Sequence, residues 1–321
     1  MPGPTGADAE HMPLGGMSHE TAAFPVWIVA TLLAAIVQAV RFYLQKRLAS
    51  GGLSPAAATF ARFVWAPPAI AVGLAAWIAA SRSALPAVPA AFWMPAAAGG
   101  LAQILATICI VASFAYRNFA VGIALSNTTV LLTVVAGLLW LGEGVTGRAL
   151  AAMLVGFAGV VILSAPQGAA ARDWRVLNRG AALGLAAGAF FAVSAVGYRA
   201  ASLTIEAPAL LRAALTLCLV TLMQTAALGA WLRLREPGAI GAVLSRWRAT
   251  GLVGAASLLG SLGWFTAYTL QTAAYVNAVG KVELVLSVMI SWLVLGERSS
   301  PRELAGIALV GLSVVALVVL A

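Results

Sequence analysis

The chain has 321 residues, 62% of them apolar and only 9% charged, with a mean hydropathy of +0.98 and a net charge of +9. Soluble domains carry roughly a quarter charged residues, so this composition excludes a soluble monomer. A membrane-crossing helix needs about 20 apolar residues; ten such stretches can be drawn here, leaving a tail and nine short loops too small for a catalytic or nucleotide-binding domain.

The tail, residues 1–24, is rich in Pro and Gly, contains both histidines (His11 and His19) and lacks the pattern of a signal peptide. It is expected to be disordered, with the first span directing insertion. The predicted spans are 25–44, 57–80, 92–114, 120–141 and 149–164. After a linker at 166–179 follow 180–203, 208–232, 250–271, 276–295 and 303–320. Lipid forces every backbone polar group to be satisfied within its own segment, and the runs are too long for barrel strands, so each is expected as a helix. Trp27, Trp77, Trp93, Trp140, Trp231, Trp247 and Trp292 lie near span ends, as interfacial anchors do.

Cys109 and Cys218 fall inside spans and read as buried thiols. No His/Cys/Asp/Glu group has metal-ligand spacing, and the basic residues form no nucleic-acid face. No cofactor, metal or nucleic acid partner is expected. Twelve basic residues, among them Lys46, Arg47, Arg117, Arg233 and Arg298, fall in loops on one side, against Arg82 and Arg148 on the other. The positive-inside rule therefore places both termini outside the cytoplasm.

The sequence repeats internally. Leu141-Gly142-Glu143 recurs as Leu295-Gly296-Glu297, each triplet closing a span, and the same offset of 154 residues gives nine identities over 23 aligned positions. Carried backward, it pairs Gln103 with Ser257, Thr107 with Ser261, Asn127 with Lys281, Thr129 with Glu283 and Thr133 with Ser287. Each copy holds five spans, an odd number, so the second must enter the membrane upside down. The expected fold is thus an all-α integral membrane protein of ten transmembrane helices in two inverted five-helix repeats, 25–165 and 180–321. Inverted repeats of this kind build secondary transporters, with the substrate site near the midplane.

Two five-span halves, each with a Pro and then an Arg opening its second helix (Pro55 with Arg62, Pro208 with Arg212) and Leu-Gly-Glu closing its fourth, resemble EamA-type members of the drug/metabolite transporter superfamily. The resemblance implies secondary transport of small metabolites, often export of amino acids or related compounds, through a cavity between the halves in a bacterial-type inner membrane. It also implies cytoplasmic termini, opposite to the charge count.

Ionisable residues inside spans are costly and mark function by default. Glu283 reads as a proton carrier or ammonium anchor, or else as half of a structural ion pair with Arg41 or another buried cation. It shares a face with Ser287 and Ser291, as Thr129 does with Thr133 and Gly137. Lys281 reads as a carboxylate-binding cation paired in the repeat with Asn127, or as a lysine that snorkels to the interface. Gln38 and Arg41 share a face, where Arg41 clamps a carboxylate or reaches toward Lys46 and Arg47. Gln103, Thr107 and Ser261 line the cavity or make interhelical hydrogen bonds. Trp264 stacks on an apolar substrate or packs in the core. Trp65 reads as core, Arg62 and Arg212 as structural, Gly180, Gly184 and Gly188 as a close-packing stripe, and Glu143 and Glu297 as caps or partners of Arg148 and Arg302, or else as a gate at each membrane face.

The leading function is alternating-access secondary transport of small polar or amphipathic metabolites, with protons as a candidate coupling ion through Glu283. An intramembrane enzyme lacks convergent acid and nucleophile groups, and a receptor or scaffold has no need of matched polar stripes. No phosphate-binding loop is present, since Tyr275 stands where the motif needs glycine.

Overall fold

Proline placement and glycine spacing set where the helices break and how closely they pack. A computed structural model of the chain describes residues 25–82, 84–113, 125–164, 179–286 and 300–320, and among these every regular element is helical. The tail, nearly all of the linker, the start of the fourth predicted span, Trp292, Ser287, Ser291 and the Leu295-Gly296-Glu297 triplet lie outside the described residues.

The helices are α1 (Val26–Ser50), α2 (Pro55–Phe63), α3 (Ala66–Ser81), α4 (Trp93–Ser113), α5 (Thr129–Leu141), α6 (Gly147–Ser164), α7 (Arg179–Leu203), α8 (Ala209–Arg235), α9 (Ala239–Ser245), α10 (Trp247–Leu270), α11 (Ala273–Gly280) and α12 (Pro301–Leu320). Seven stretches among the described residues are long and apolar enough to cross a membrane, with α2 and α3 counted together. The helices α5 and α6 are apolar but shorter. On α1 the exposed large residues are Val26, Val29, Leu33, Ile36, Val40 and Tyr43, a stripe repeating every three to four positions. Such a face suits lipid rather than water.

Three predicted spans are not single continuous helices. The second is interrupted at Val64 and Trp65, because Pro67 and Pro68 lack the amide hydrogens that would bond back to Phe63 and Val64. The fourth turns at Asn127 and Thr128 before α5 begins, and the ninth turns at Lys281 after α11. The charge-rich segment after α8 carries a short helix, α9, that its hydropathy does not announce.

Helix ends follow from local chemistry. Ser300 and Glu303 form a reciprocal cap on α12: the Ser300 amide donates to Glu303 Oε2 (2.7 Å) and the Glu303 amide to Ser300 Oγ (3.2 Å), with Pro301 at the first helical position. Gly142 ends α5 in the left-handed region (φ 68°), its amide donating to Leu138 O and that of Glu143 to Gly137 O. The Leu-Gly-Glu motif is thereby explained in its first copy, since glycine makes the turn and throws Glu143 clear of the helix.

Packing is close where side chains are small. Helix α4 lies along α7, α1 along α10 and α6 along α12. A Cβ on Gly197 would stand 2.8 Å from Pro95 O and 3.0 Å from Gly99 Cα, so α4 and α7 touch backbone to backbone. Gly263 does the same for α10 against Ala30 and Ala34 of α1. In the expected small-residue stripe, Gly188 approaches the turn at Ser126–Thr128. Further contacts join α5 to α7, α1 to α11, α2 to α10, α4 to α8 and α5 to α11.

Candidate functional site

These helices surround a cavity of about 310 Å³. Both turns reach it, with Asn127 from one and Lys281 from the other. Breaking a helix removes backbone hydrogen bonds, which inside a bilayer is tolerated only where protein or a polar cavity satisfies the freed groups.

One wall is organised by Gln38 of α1. Its amide nitrogen donates to Glu283 Oε2 (3.0 Å), and its carbonyl accepts from Arg41 Nη2 (3.2 Å) and from Trp264 Nε1 (3.2 Å). Arg41 is buried and also donates to Gln45 Oε1 (2.6 Å), whose own amide reaches Ala58 O (3.4 Å) on α2. Arg41 therefore does not line the cavity or pair directly with Glu283. It acts on Glu283 through Gln38, an amide that serves both charges at once.

The facing wall comes from α4, α7 and α8. Tyr198 OH donates to Gln103 Oε1 (2.8 Å), and Gln224 Nε2 donates to Gln103 Oε1 (3.0 Å) and Gly100 O (3.0 Å). Arg62 lines the cavity from α2, only 4% exposed, its Nη1 donating to Thr107 Oγ1 (2.9 Å) while its buried Nε has no partner among the described residues. Thr107 stands behind that wall and donates to Gln103 O (2.8 Å).

At the level of α5 and α11, Tyr268 OH donates to Asn277 Oδ1 (2.8 Å), and Asn277 Nδ2 donates to Thr133 Oγ1 (2.9 Å). Thr129 Oγ1 donates to Ser126 O (2.6 Å) and Gly188 O (3.1 Å), fixing the turn before α5 against α7. Trp264 stacks on Tyr268 with centroids 5.8 Å apart, and Tyr198 on Phe265 at 4.3 Å.

Of the residues picked from sequence, Gln38, Gln103, Asn127, Thr129, Ser261, Trp264, Lys281 and Glu283 line one cavity, whereas Arg41 and Thr107 support it from behind. Ser257, the repeat mate of Gln103, is buried away from it with an unpartnered hydroxyl. Arg62, Tyr198, Tyr268 and Asn277 were missed. Arg62, read as structural from its position at the opening of a helix, also lines the cavity, because the break after Phe63 brings α2 against α4 and the cavity. The tyrosines and Asn277 carry a signal that was available: buried hydroxyls and amides inside spans require partners.

The cavity includes Lys46, Tyr43 and Ile110 toward one end. Helices α1 and α10 run antiparallel, since Gly260 lies by Val37, Gly263 by Ala30 and Ala34; the end of α10 is therefore remote from Lys46. There Arg199 of α7 binds Glu143 with Nε 2.8 Å from both carboxylate oxygens, and its Nη1 donates to Tyr268 O and Gln271 O, each at 2.8 Å. Those carbonyls are the free acceptors that a helix leaves at its C-terminus, where a cation is favoured. Glu143 thus pairs with Arg199 rather than with Arg148 as expected. One guanidinium ties α5, α7 and the end of α10 together beyond Tyr268.

Residues 178–319 match the family model of EamA-like transporters. The second half is an EamA domain. A crystal structure of a protein 18% identical in sequence has the same fold as this EamA-domain protein, with a TM-score of 0.65 over 92% of this chain and 98% of the other. No curated protein matches the sequence. The family match over 178–319 and the apolar helices support an integral membrane protein.

Proposed function

We propose that the chain is a secondary transporter that moves small polar or amphipathic metabolites by alternating access, as an exporter of amino acids or related compounds, with Glu283 as the proton-coupling group. The observation that carries this is the pair of helix breaks at Asn127 and Lys281, 154 residues apart, which meet at one cavity. Secondary transporters place discontinuous helices at corresponding positions of their two halves around the substrate.

The packing supports ten spans in two inverted repeats, 25–165 and 180–321. Exchanging the halves turns the α4–α7 contact into α10–α1, α5–α7 into α11–α1 and α2–α10 into α8–α4. The α6–α12 and α5–α11 pairs map onto themselves. The Arg199–Glu143 pair serves as the gate on the side remote from Lys46, which the loop charges make the outer side, with both termini outside. A cysteine placed in the 1–24 tail labels in intact cells on this reading, and labelling only after permeabilisation would put the termini in the cytoplasm.

Metabolite profiling of cells with and without the protein supplies candidate substrates, and counterflow in proteoliposomes tests them. Exchange that needs no ATP and is lost when the cavity is altered supports the reading; absence of exchange for every candidate overturns it.

A further inference from the structure

Among the described residues the charges around the cavity do not balance. Two of its described lining cations, Arg62 and Lys281, face a single described carboxylate, Glu283, while Lys46, which has a contact of its own, stands toward one end. A second arginine, Arg41, lies buried directly behind Gln38. Glu283 already accepts a hydrogen bond from Gln38, whose carbonyl is held by Arg41 and Trp264. The side chain of Lys281, attracted by Glu283, makes no hydrogen bond among the described residues, and Arg62 keeps a buried Nε with no partner there. Excess positive charge in a low-dielectric site is costly until a counter-charge arrives. Conversely, an incoming ammonium would meet one carboxylate that is already engaged.

The rest of the lining is aromatic. Trp264 and Tyr268 stack in one layer, and Phe42, Phe191 and Phe265 add apolar surface. A volume of about 310 Å³ lies at the small end of ligand sites, enough for one ring and a short chain.

We propose that the cavity selects an organic anion, a carboxylate on a flat apolar body, with the acid group drawn to Lys281 and Arg62 and the body laid against Trp264 and Tyr268. This rests on the transport reading but replaces amino acids with organic anions as the substrate class, since no ammonium pocket is needed.

Three probes of one shape and different charge test it: 3-phenylpropionate (anion), phenylalanine (zwitterion) and phenethylamine (cation), measured by equilibrium dialysis on the full-length purified protein. The anion is expected to bind at least tenfold more tightly than either of the others. Lys281→Gln is expected to weaken it tenfold or more without changing the amine, while Lys281→Arg retains it. Binding of the amine or zwitterion as tight as that of the anion, no binding by any probe, or an anion affinity indifferent to Lys281→Gln overturns the proposal. The wild-type comparison decides even where a variant misfolds. Counterflow then separates the two claims: an anion that binds but is not exchanged sinks transport alone, and exchange of the amine but not the anion sinks the substrate class alone.

Discussion

If the Arg199–Glu143 pair holds one face shut, weakening it opens that face. Glu143→Gln removes the charge and keeps one acceptor oxygen, so Arg199 loses a charge-assisted bond of its two-pronged contact while its bonds to Tyr268 O and Gln271 O remain. Hydrogen bonds to charged groups contribute about 1.5–3 kcal/mol. The two side chains are 12% and 22% exposed, which moves the value toward the lower end. At 1.4 kcal/mol per decade, the equilibrium between closed and open forms shifts by about tenfold. The assay is the rate at which a membrane-impermeant thiol reagent labels Thr129→Cys from the Glu143 face, in a background where Cys109 and Cys218 are alanine. The rate should rise about tenfold in Glu143→Gln. An unchanged rate, with the variant folded but less heat-stable, would show that the pair only staples α5 to α7 and would refute the gating role.

Glu283→Gln should abolish uptake driven by a pH gradient while leaving counterflow measurable; proton coupling that survives the substitution removes Glu283 from that role. Gly197→Ala forces a methyl against Pro95 O and Gly99 Cα and should lower stability by about 1–3 kcal/mol, read as a fall in Tm, whereas Gly73→Ala, which meets nothing within 4 Å, should be neutral or better. Gln38→Leu severs Glu283, Arg41 and Trp264 from one another and should cost more affinity for a transported solute than Ser261→Ala. Equal losses would mean that Gln38 is only a packing residue.

Much of the polar lining was legible because hydrophobicity makes polar residues conspicuous. Inside spans, Gln38, Asn127, Lys281 and Glu283 stand out against an apolar background, and the 154-residue offset ties three of them to partners in the other half. The helix breaks at Asn127 and Lys281 were harder to read, since no proline marks either one; the polar run at 126–129 was the local signal at the first, while the second has only Gly280 before Lys281. At Val64 the signal was present in Pro67 and Pro68 and was overridden by the length of the apolar run. Glu143 shows a further limit. Its local neighbour Arg148 is the obvious partner by sequence, but the turn at Gly142 aims it at Arg199, 56 residues on. Long-range pairing of this sort depends on how α5 and α7 pack, which no local pattern encodes.

The central claim, that one cavity between two broken helices is presented to each side of the membrane in turn, is tested most directly by a single cysteine at Asn127 in the cysteine-free background. Right-side-out and inside-out vesicles are each treated with an impermeant thiol reagent. Alternating access requires that Asn127→Cys react from both faces, with labelling from one face protecting against labelling from the other. Reaction from a single face under every condition, or from neither, would contradict it.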